Sequence, residues 1–466
     1  MVCNTDPVPG YFSVTSVGGC GDELVHGRAA RTARVAWFAG YLLLITLPLV
    51  LAWVLARDPA AGPVGATATD TGLLAFSLVV VSLVLMARVP SLVAAFGIEH
   101  VLLMHRLVAV AAVLLVLAHL GLVIDEDPRG WSILDVGDTS APARAAIAAT
   151  VAMLCAVLLA LRRRRRRPRY EAWRMAHLFL AVVVVVGGWL HVWWLHQLSD
   201  RPVFAVWFGL LGLVMLGVGF RRWLWLPWRA LRRSYVVEQV EPVAGDAVRL
   251  ELRAHRHEGR RFKPGQFAWL KIGTSPFVFE EHPFSISSTA QTPHRKEFTI
   301  KALGDFSELL RGLRPGRRVF LDGPYGGFTV EGLDASPGFV LIAGGVGVTP
   351  MLSILRTLAD RGDRRAHRLL LGARTWDDLI LRHEIEELCG RLDLSVVDVL
   401  EEPPEDWLGE RGRIDATLLD RCLPERARAH DYFLCGPPPM VVAVSRQLRS
   451  HGVPLRRIHT ERFEVV

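Results

Sequence analysis

The sequence predicts a membrane-spanning bundle of six α-helices, followed by a β-barrel domain and an α/β domain. Three observations carry this reading. Apolar residues make up 51% of the 466, and the mean hydropathy of +0.30 is high for a soluble chain. The long apolar runs all lie before residue 230. Beyond it, short alternating stretches give way to a strand–helix alternation, the pattern of an antiparallel and then a parallel sheet. The expected divisions are an N-terminal segment at 1–35, the bundle at 36–230, the barrel at 231–334 and the α/β domain at 335–466. With 21% charged residues, extended disorder is excluded.

A spanning helix needs about 20 mostly apolar residues. Six segments meet this: Ala36–Leu55, Thr71–Ala87, Val101–Ile124, Ala145–Leu161, His177–Leu195 and Val203–Phe220. The 162–174 connection holds eight arginines, and 221–233 holds five more. The 125–138 connection is acidic, with Asp125, Glu126, Asp127, Asp135 and Asp138. The positive-inside rule then puts both termini in the cytoplasm. The arginine run is read as this topology signal and not as a nucleic-acid surface. Fifty of the 54 basic residues are Arg, a skew that points to a GC-rich bacterial gene and hence a bacterial plasma membrane.

Six cysteines are scattered (Cys3, Cys20, Cys155, Cys389, Cys422 and Cys435), with no C-x-x-C pair. A zinc ribbon and a Cys-ligated iron–sulfur cluster are therefore not expected.

Ionisable residues inside a bilayer are costly and mark function. The third span holds His105 and His119, and the fifth holds His177 and His191. Both gaps are 14 residues. Fourteen steps of about 100° fall some 40° short of four turns, so each pair shares a helix face, about 21 Å apart along the axis. Both spans run from inside to outside. His105 therefore pairs with His177 near the inner leaflet, and His119 with His191 near the outer. Two facing imidazoles suit axial ligation of b-type haem; four histidines bonded to neighbouring helices are the alternative. His196 and His100 lie off this pattern.

With these residues in place, the chain resembles the ferric reductase and NADPH oxidase superfamily, whose members stack two bis-histidyl haems between the third and fifth of six helices. Tyr170–His177 resembles the family's segment leading into the fifth helix, and His105-Arg106 the start of its third. Arg106 is read either as a propionate partner or as a snorkelling arginine.

The soluble half extends the resemblance. Strands are expected at Tyr235–Val240 and Val248–Leu252, and Lys263–Phe267 turns into another. His282-Pro283-Phe284-Ser285-Ile286-Ser287-Ser288 resembles the flavin motif of this superfamily and of the wider ferredoxin–NADP reductase group. The resemblance implies FAD: Phe284 gives an apolar plane to the isoalloxazine, Ser285 a hydroxyl near its N5 edge, and His282 a donor toward the phosphate or ribitol. Lys301 and Gly304 belong to the strand and turn that follow. Ser307 caps the next helix, whose amides suit the FAD pyrophosphate. Gly323–Phe328 closes the barrel.

Phe339–Ala343 reads as a buried parallel strand. Gly344-Gly345-Val346-Gly347-Val348-Thr349-Pro350 follows and opens a helix. Glycines admit a pyrophosphate to the backbone, and the helix N-terminus supplies amides and a positive dipole. Arg374, after the next strand, either binds the 2′-phosphate of NADPH or stacks on adenine; NADPH is favoured over NADH. Cys435-Gly436 resembles the element beside the nicotinamide, with Cys435 a contact and not a nucleophile. Phe463 resembles the family's flavin-shielding aromatic, with a core position as the alternative.

The expected function is electron transfer from cytoplasmic NAD(P)H through FAD and two b-type haems to an external acceptor: a ferric chelate, oxygen or a partner protein. The alternatives are a membrane electron-transfer subunit that reduces an outside partner, and a tethered flavin reductase without haem.

Overall fold

The computed structural model describes residues 20–56, 62–166, 170–196, 200–278, 280–301 and 305–461. The chain divides into two compact units, one running Arg31–Leu226 and the other holding Pro227–Val466.

The first unit is helical. In chain order it contains α1 (Cys20–Leu51), α2 (Pro63–Leu85), the short α3 (Pro90–Phe96), α4 (Ile98–Glu126), α5 (Ala141–Arg166), α6 (Tyr170–Trp194) and α7 (Pro202–Phe220). A wide turn at Arg221–Trp225 joins α7 to α8 (Leu226–Arg232). Six helices among the described residues are long and apolar enough to span a membrane, in the six regions expected. Large apolar side chains stay exposed along them, among them Phe38, Leu114, Phe179, Leu213 and Leu216. Such a band is stable against lipid and costly in water.

The second span begins eight residues earlier than hydropathy suggested. Its first turns are rich in Gly, Ala and Thr, and the threonines satisfy themselves locally. Thr67, Thr69 and Thr71 each donate to the carbonyl four residues back, at 2.8, 3.1 and 2.9 Å. A polar hydroxyl bonded this way is tolerated inside a membrane helix. α2 is also the most enclosed span, with half of its apolar window buried. Its Phe76 and Val80 pack with Phe204, Phe208 and Leu211 of α7.

The second unit has two sheets. Strands β1 (Tyr235–Val243), β2 (Ala247–Ala254), β3 (Phe267–Ile272), β4 (His282–Ser285), β5 (Arg295–Lys301) and β6 (Arg318–Tyr325) pair antiparallel in the order β4-β3-β6-β1-β2-β5. A bridge between Ile286 and Phe298 joins the two ends of that order, closing the expected barrel over Leu250, Leu270, Ile286 and Phe298. Helix α9 (Asp305–Arg311) follows β5.

Strands β7 (Phe339–Gly344), β8 (His367–Ala373), β9 (Leu394–Leu400), β10 (Glu410–Arg411), β11 (Asp431–Cys435) and β12 (Ile458–Glu461) form a parallel sheet ordered β10-β9-β8-β7-β11-β12. β7 is wholly buried, as a central parallel strand covered on both faces must be. Helices α10 (Val348–Asp360), α11 (Arg382–Cys389), α12 (Ala416–Cys422) and α13 (Pro438–Ser450) accompany it.

Candidate functional site

The membrane histidines come together as the 14-residue spacing requires. The rings of His119 (α4) and His191 (α6) face each other with centroids 6.3 Å apart and planes at 69°. A metal–imidazole bond is about 2.0–2.1 Å. The ring centroid lies a little over an ångström behind the nitrogen, so two rings sharing one metal ion stand about 6 Å apart. The gap would admit one metal ion between the two rings. His119 Nδ1 bonds the Ala68 carbonyl at 2.8 Å, and His191 Nδ1 bonds the Pro142 carbonyl at 3.0 Å. A carbonyl only accepts, so each Nδ1 is the donor. In a neutral ring this leaves Nε2 as the free lone pair, the arrangement a metal-binding histidine needs.

His105 and His177 lie against the neighbouring helices. His105 Nδ1 lies 2.8 Å from Ser82 Oγ and 3.3 Å from the Ser82 carbonyl. His177 faces the Ala156 backbone without closing a hydrogen bond, and its ring stacks on Trp173 at 5.3 Å and 14°. The ligand helix α4 thus leans on α2, and α6 leans on α5, with partners offset by the same spacing in both hairpins. Hydropathy alone does not reveal these partners. Gly72 is one of them in effect: a Cβ there would stand 3.0 Å from the His119 ring. His196 is exposed and bonds Asp200 at 3.0 Å, away from the paired histidines. Among the described residues no three His, Cys, Asp or Glu side chains gather, so a zinc cage has no donor set here.

In the barrel, β4 carries His282, Pro283, Phe284 and Ser285 against β3. The His282 ring lies tilted at 36° against Phe306 of α9 with centroids 4.1 Å apart, and Phe284 lies nearly parallel to Phe306 at 5.9 Å. The three rings make an apolar shelf. Ser285 Oγ and Ser288 Oγ are buried with no hydrogen-bond partner among the described residues. A buried hydroxyl without a partner is costly, and a flavin edge would satisfy it, so these residues fit FAD. Glu281, fully buried, pairs with Lys271 at 3.4 Å and anchors the strand next to the motif; sequence reading missed this pair. Gly304 and Phe463 lie outside the described residues, as does the Ser307 side chain.

The glycine loop lies where β7 meets α10. β8 flanks β7 on one side and β11 on the other, so the loop sits at a topological switch point, the place where open parallel sheets bind ligands. A cavity of about 230 Å³ is lined there by Lys301, Gly344, Gly345, Val346, Gly347, Gly436 and Pro437. The glycines are sterically required: a Cβ on Gly347 would come 2.2 Å from the Cys435 carbonyl oxygen, and one on Gly344 would come 2.8 Å from Pro437. Thr349 Oγ1 donates to the Val346 carbonyl at 2.9 Å and braces the loop, with Pro350 in the first turn of α10. These residues fit a dinucleotide. Lys301 joins this cavity while pairing with Asp378 at 3.1 Å. The Cys435 side chain is fully buried in the sheet core, so only its backbone borders the loop.

Arg374 is exposed just beyond β8, and its Nε donates to Glu402 at 2.9 Å. Glu401 and Asp378 add negative charge nearby. The side chain assigned to a 2′-phosphate thus has a carboxylate partner already.

One helix ties the flavin motif to the glycine loop. Ser353, Arg356 and Thr357 recur on one face of α10. Ser353 donates to the Ser288 carbonyl at 2.8 Å, Thr357 accepts from the Ala290 amide at 2.9 Å, and Arg356 bonds Glu297 at 2.7 Å and the Ser287 carbonyl at 3.1 Å. The signal was present as three polar residues at i, i+3 and i+4 on an otherwise apolar helix.

Three family models match: "Ferric reductase like transmembrane component" over residues 71–188, "FAD-binding domain" over 234–329 and "Oxidoreductase NAD-binding domain" over 341–446. The chain thus carries a ferric reductase-like transmembrane component followed by FAD-binding and NAD-binding oxidoreductase domains, an architecture like that of the ferric reductases and NADPH oxidases. The reductase component of propane 2-monooxygenase from Rhodococcus jostii is 37% identical over 235 residues, which cover 49% of this chain and 62% of that protein. The glycine betaine monooxygenase reductase subunit of Chromohalobacter salexigens is 32% identical over 43% of this chain and 56% of its own length. The chain thus spans less than two thirds of either relative. The crystal structure of the Amycolatopsis cytochrome P450 reductase GcoB is 28% identical, with a TM-score of 0.44 over 50% of this chain and 69% of that one.

Proposed function

We propose that this chain moves electrons from a cytoplasmic nicotinamide nucleotide, by way of bound FAD and two b-type haems, to an acceptor across the membrane, a ferric chelate or oxygen. The observation that carries the proposal is the His119–His191 pair, spaced 6.3 Å ring to ring with both Nδ1 atoms engaged by backbone carbonyls. When bound, FAD supplies the exchange between a two-electron hydride and single electrons, and the haems supply a one-electron relay.

The residues divide the remaining work. His105 with His177, and His119 with His191, hold the two irons. Phe284 and Phe306 would offer the flavin an apolar face, Ser285 a hydroxyl to its edge, and His282 a ring N–H toward its phosphate or ribitol; Lys301, paired with Asp378, lines the nucleotide cavity. Gly344, Gly345, Gly347 and Gly436 keep side chains out of the cleft, so that the nucleotide backbone can reach the amides at the start of α10. Arg374 is engaged by Glu402, and the carboxylates around it disfavour a dianionic 2′-phosphate. The nucleotide proposed is NADH in preference to NADPH.

The test is purified protein loaded with haem and FAD. A pyridine haemochrome assay should return two haems per chain, and extraction should return one FAD. Fewer than one haem per chain would leave a tethered flavin reductase as the correct reading. Superoxide yield compared with ferric-citrate reduction, under saturating NADH, then identifies the acceptor.

A further inference from the structure

Four cationic side chains converge at one end of the barrel, none of them among the residues assigned to FAD or to the nucleotide. A cavity of about 30 Å³, open on one side, is lined by Arg229, Arg233, Arg260 and Lys296 together with Tyr235 and the apolar barrel wall. Among the described residues the guanidinium groups of Arg229, Arg233 and Arg260 make no hydrogen bond or ion pair. Most other ordered arginines in this unit do, as Arg249, Arg356, Arg365 and Arg382 show. Lys296 is 3% exposed, its Nζ donating to the carbonyls of Arg260 at 2.9 Å and Pro293 at 3.2 Å and sitting 4.0 Å over the Phe262 ring.

These charges oppose one another. Arg229 and Arg233 repel Arg260, and Arg260 repels Lys296. Asp322 is the carboxylate within reach of Arg260, and it already accepts from the Tyr325 hydroxyl at 2.8 Å. Like charges gathered about one carboxylate repel one another, and a bound anion would offset that repulsion. Guanidinium forks match the tetrahedral oxygens of a phosphate better than a halide or a single carboxylate. The cavity holds about two water-sized groups, enough for two phosphate oxygens with the rest of the ion at the mouth.

We propose that this cavity binds a phosphate-bearing anion, gripped by Arg229, Arg233, Arg260 and Lys296. Its source is either free phosphate or the headgroup of an anionic phospholipid. Arg229 stands on α8, in the helical stretch Pro202–Arg232, and Arg233 follows it directly.

The experiment uses full-length, FAD-loaded protein at pH 7. Thermal unfolding is followed in detergent with potassium phosphate against potassium chloride at matched ionic strength. It is repeated in nanodiscs of phosphatidylcholine with and without phosphatidylglycerol. Saturable stabilisation by phosphate identifies a free anion, and stabilisation by phosphatidylglycerol alone identifies a lipid headgroup; either supports the site. Arg233→Gln and Arg260→Gln should each raise the midpoint in phosphate-free buffer, because repulsion is relieved. Each should also weaken the anion's effect about tenfold. The proposal is overturned if neither anion stabilises the protein, or if both variants respond like the unmutated chain. It is equally overturned if both variants melt lower without phosphate, since the guanidiniums then serve the fold. Displacement of phosphate by added FAD would assign the charges to the flavin pyrophosphate and overturn it too.

Discussion

Arg374 and Lys296 carry the same formal charge, and their neighbours give them opposite behaviour. Arg374 lies in the open with Glu402 attached at 2.9 Å. Replacing Glu402 with Gln should free the guanidinium for a 2′-phosphate. A charge-assisted contact contributes about 1.5–3 kcal/mol, discounted here because both groups are exposed. The expectation is an NADPH KM lowered about three- to tenfold with NADH little changed. An unchanged NADPH-to-NADH ratio would refute the role given to this pair. Lys296 is enclosed, and burial, reinforced by Arg260, pushes its ammonium down to about 7. Between that value and its ordinary one, the unfolded chain binds a proton that the folded chain does not. Stability therefore rises with pH across the window from about 7 to 10.5 and is flat in this group below it. Arg229, Arg233 and Arg260 line the same cavity, and burial holds the Tyr235 hydroxyl neutral to higher pH. Thermal midpoints measured from pH 7 to 10 should climb in the parent and climb less in Lys296→Met. Parallel curves would show that Lys296 does not titrate there.

At the scale of the element, α10 does two jobs. Its N-terminus ends the glycine loop, and its Ser353, Arg356 and Thr357 reach back to the segment after the flavin motif. The loop has no slack toward β11, because a Cβ on Gly347 would overlap the Cys435 carbonyl. Gly347→Ala must push the loop and the start of α10 away from β11. We expect the nucleotide KM to rise at least tenfold while FAD content and haem content stay normal. A variant that binds nucleotide normally would mean the loop can relax without cost. In the membrane unit the corresponding element is the hairpin. α2 supplies the carbonyls that orient the α4 histidines, and α5 supplies the backbone that faces those of α6.

For the whole molecule, electron transfer should be separable by depth. The histidine pairs are about 21 Å apart along their helices, so His119→Ala or His191→Ala would remove a ligand of the proposed outer haem and leave His105 and His177 in place. In sealed vesicles of known orientation, NADH oxidation with a cytoplasmic-side dye should persist. Reduction of an impermeant acceptor on the opposite side should fall to background. His196→Ala, whose ring bonds Asp200 away from the pairs, should keep its haem. External reduction at the unmutated rate in the outer-ligand variants would mean that electrons take another path.

The sequence by itself determined the architecture: six apolar stretches, the switch to period-two strands, and the strand–glycine–helix turn. All are local patterns fixed by helix rise, strand pleat and backbone conformation, and they need no knowledge of what lies opposite. It placed the two histidines of each helix on one face as well, because a 14-residue gap on a regular helix leaves both rings there. Only the tertiary structure decided what those side chains meet. The Ala68 and Pro142 carbonyls that set the histidine tautomers, the Glu402 that engages Arg374, and the Lys271–Glu281 pair beside the flavin motif come from other elements or from loops. Hydropathy also misplaced the start of α2, because threonines bonded to their own helix are polar in composition and satisfied in structure. The cationic cavity was invisible for the same reason. Arg229 and Arg233 read as topology signals and Lys296 as an ordinary strand residue, and only the closing of the barrel brings their charges into one place.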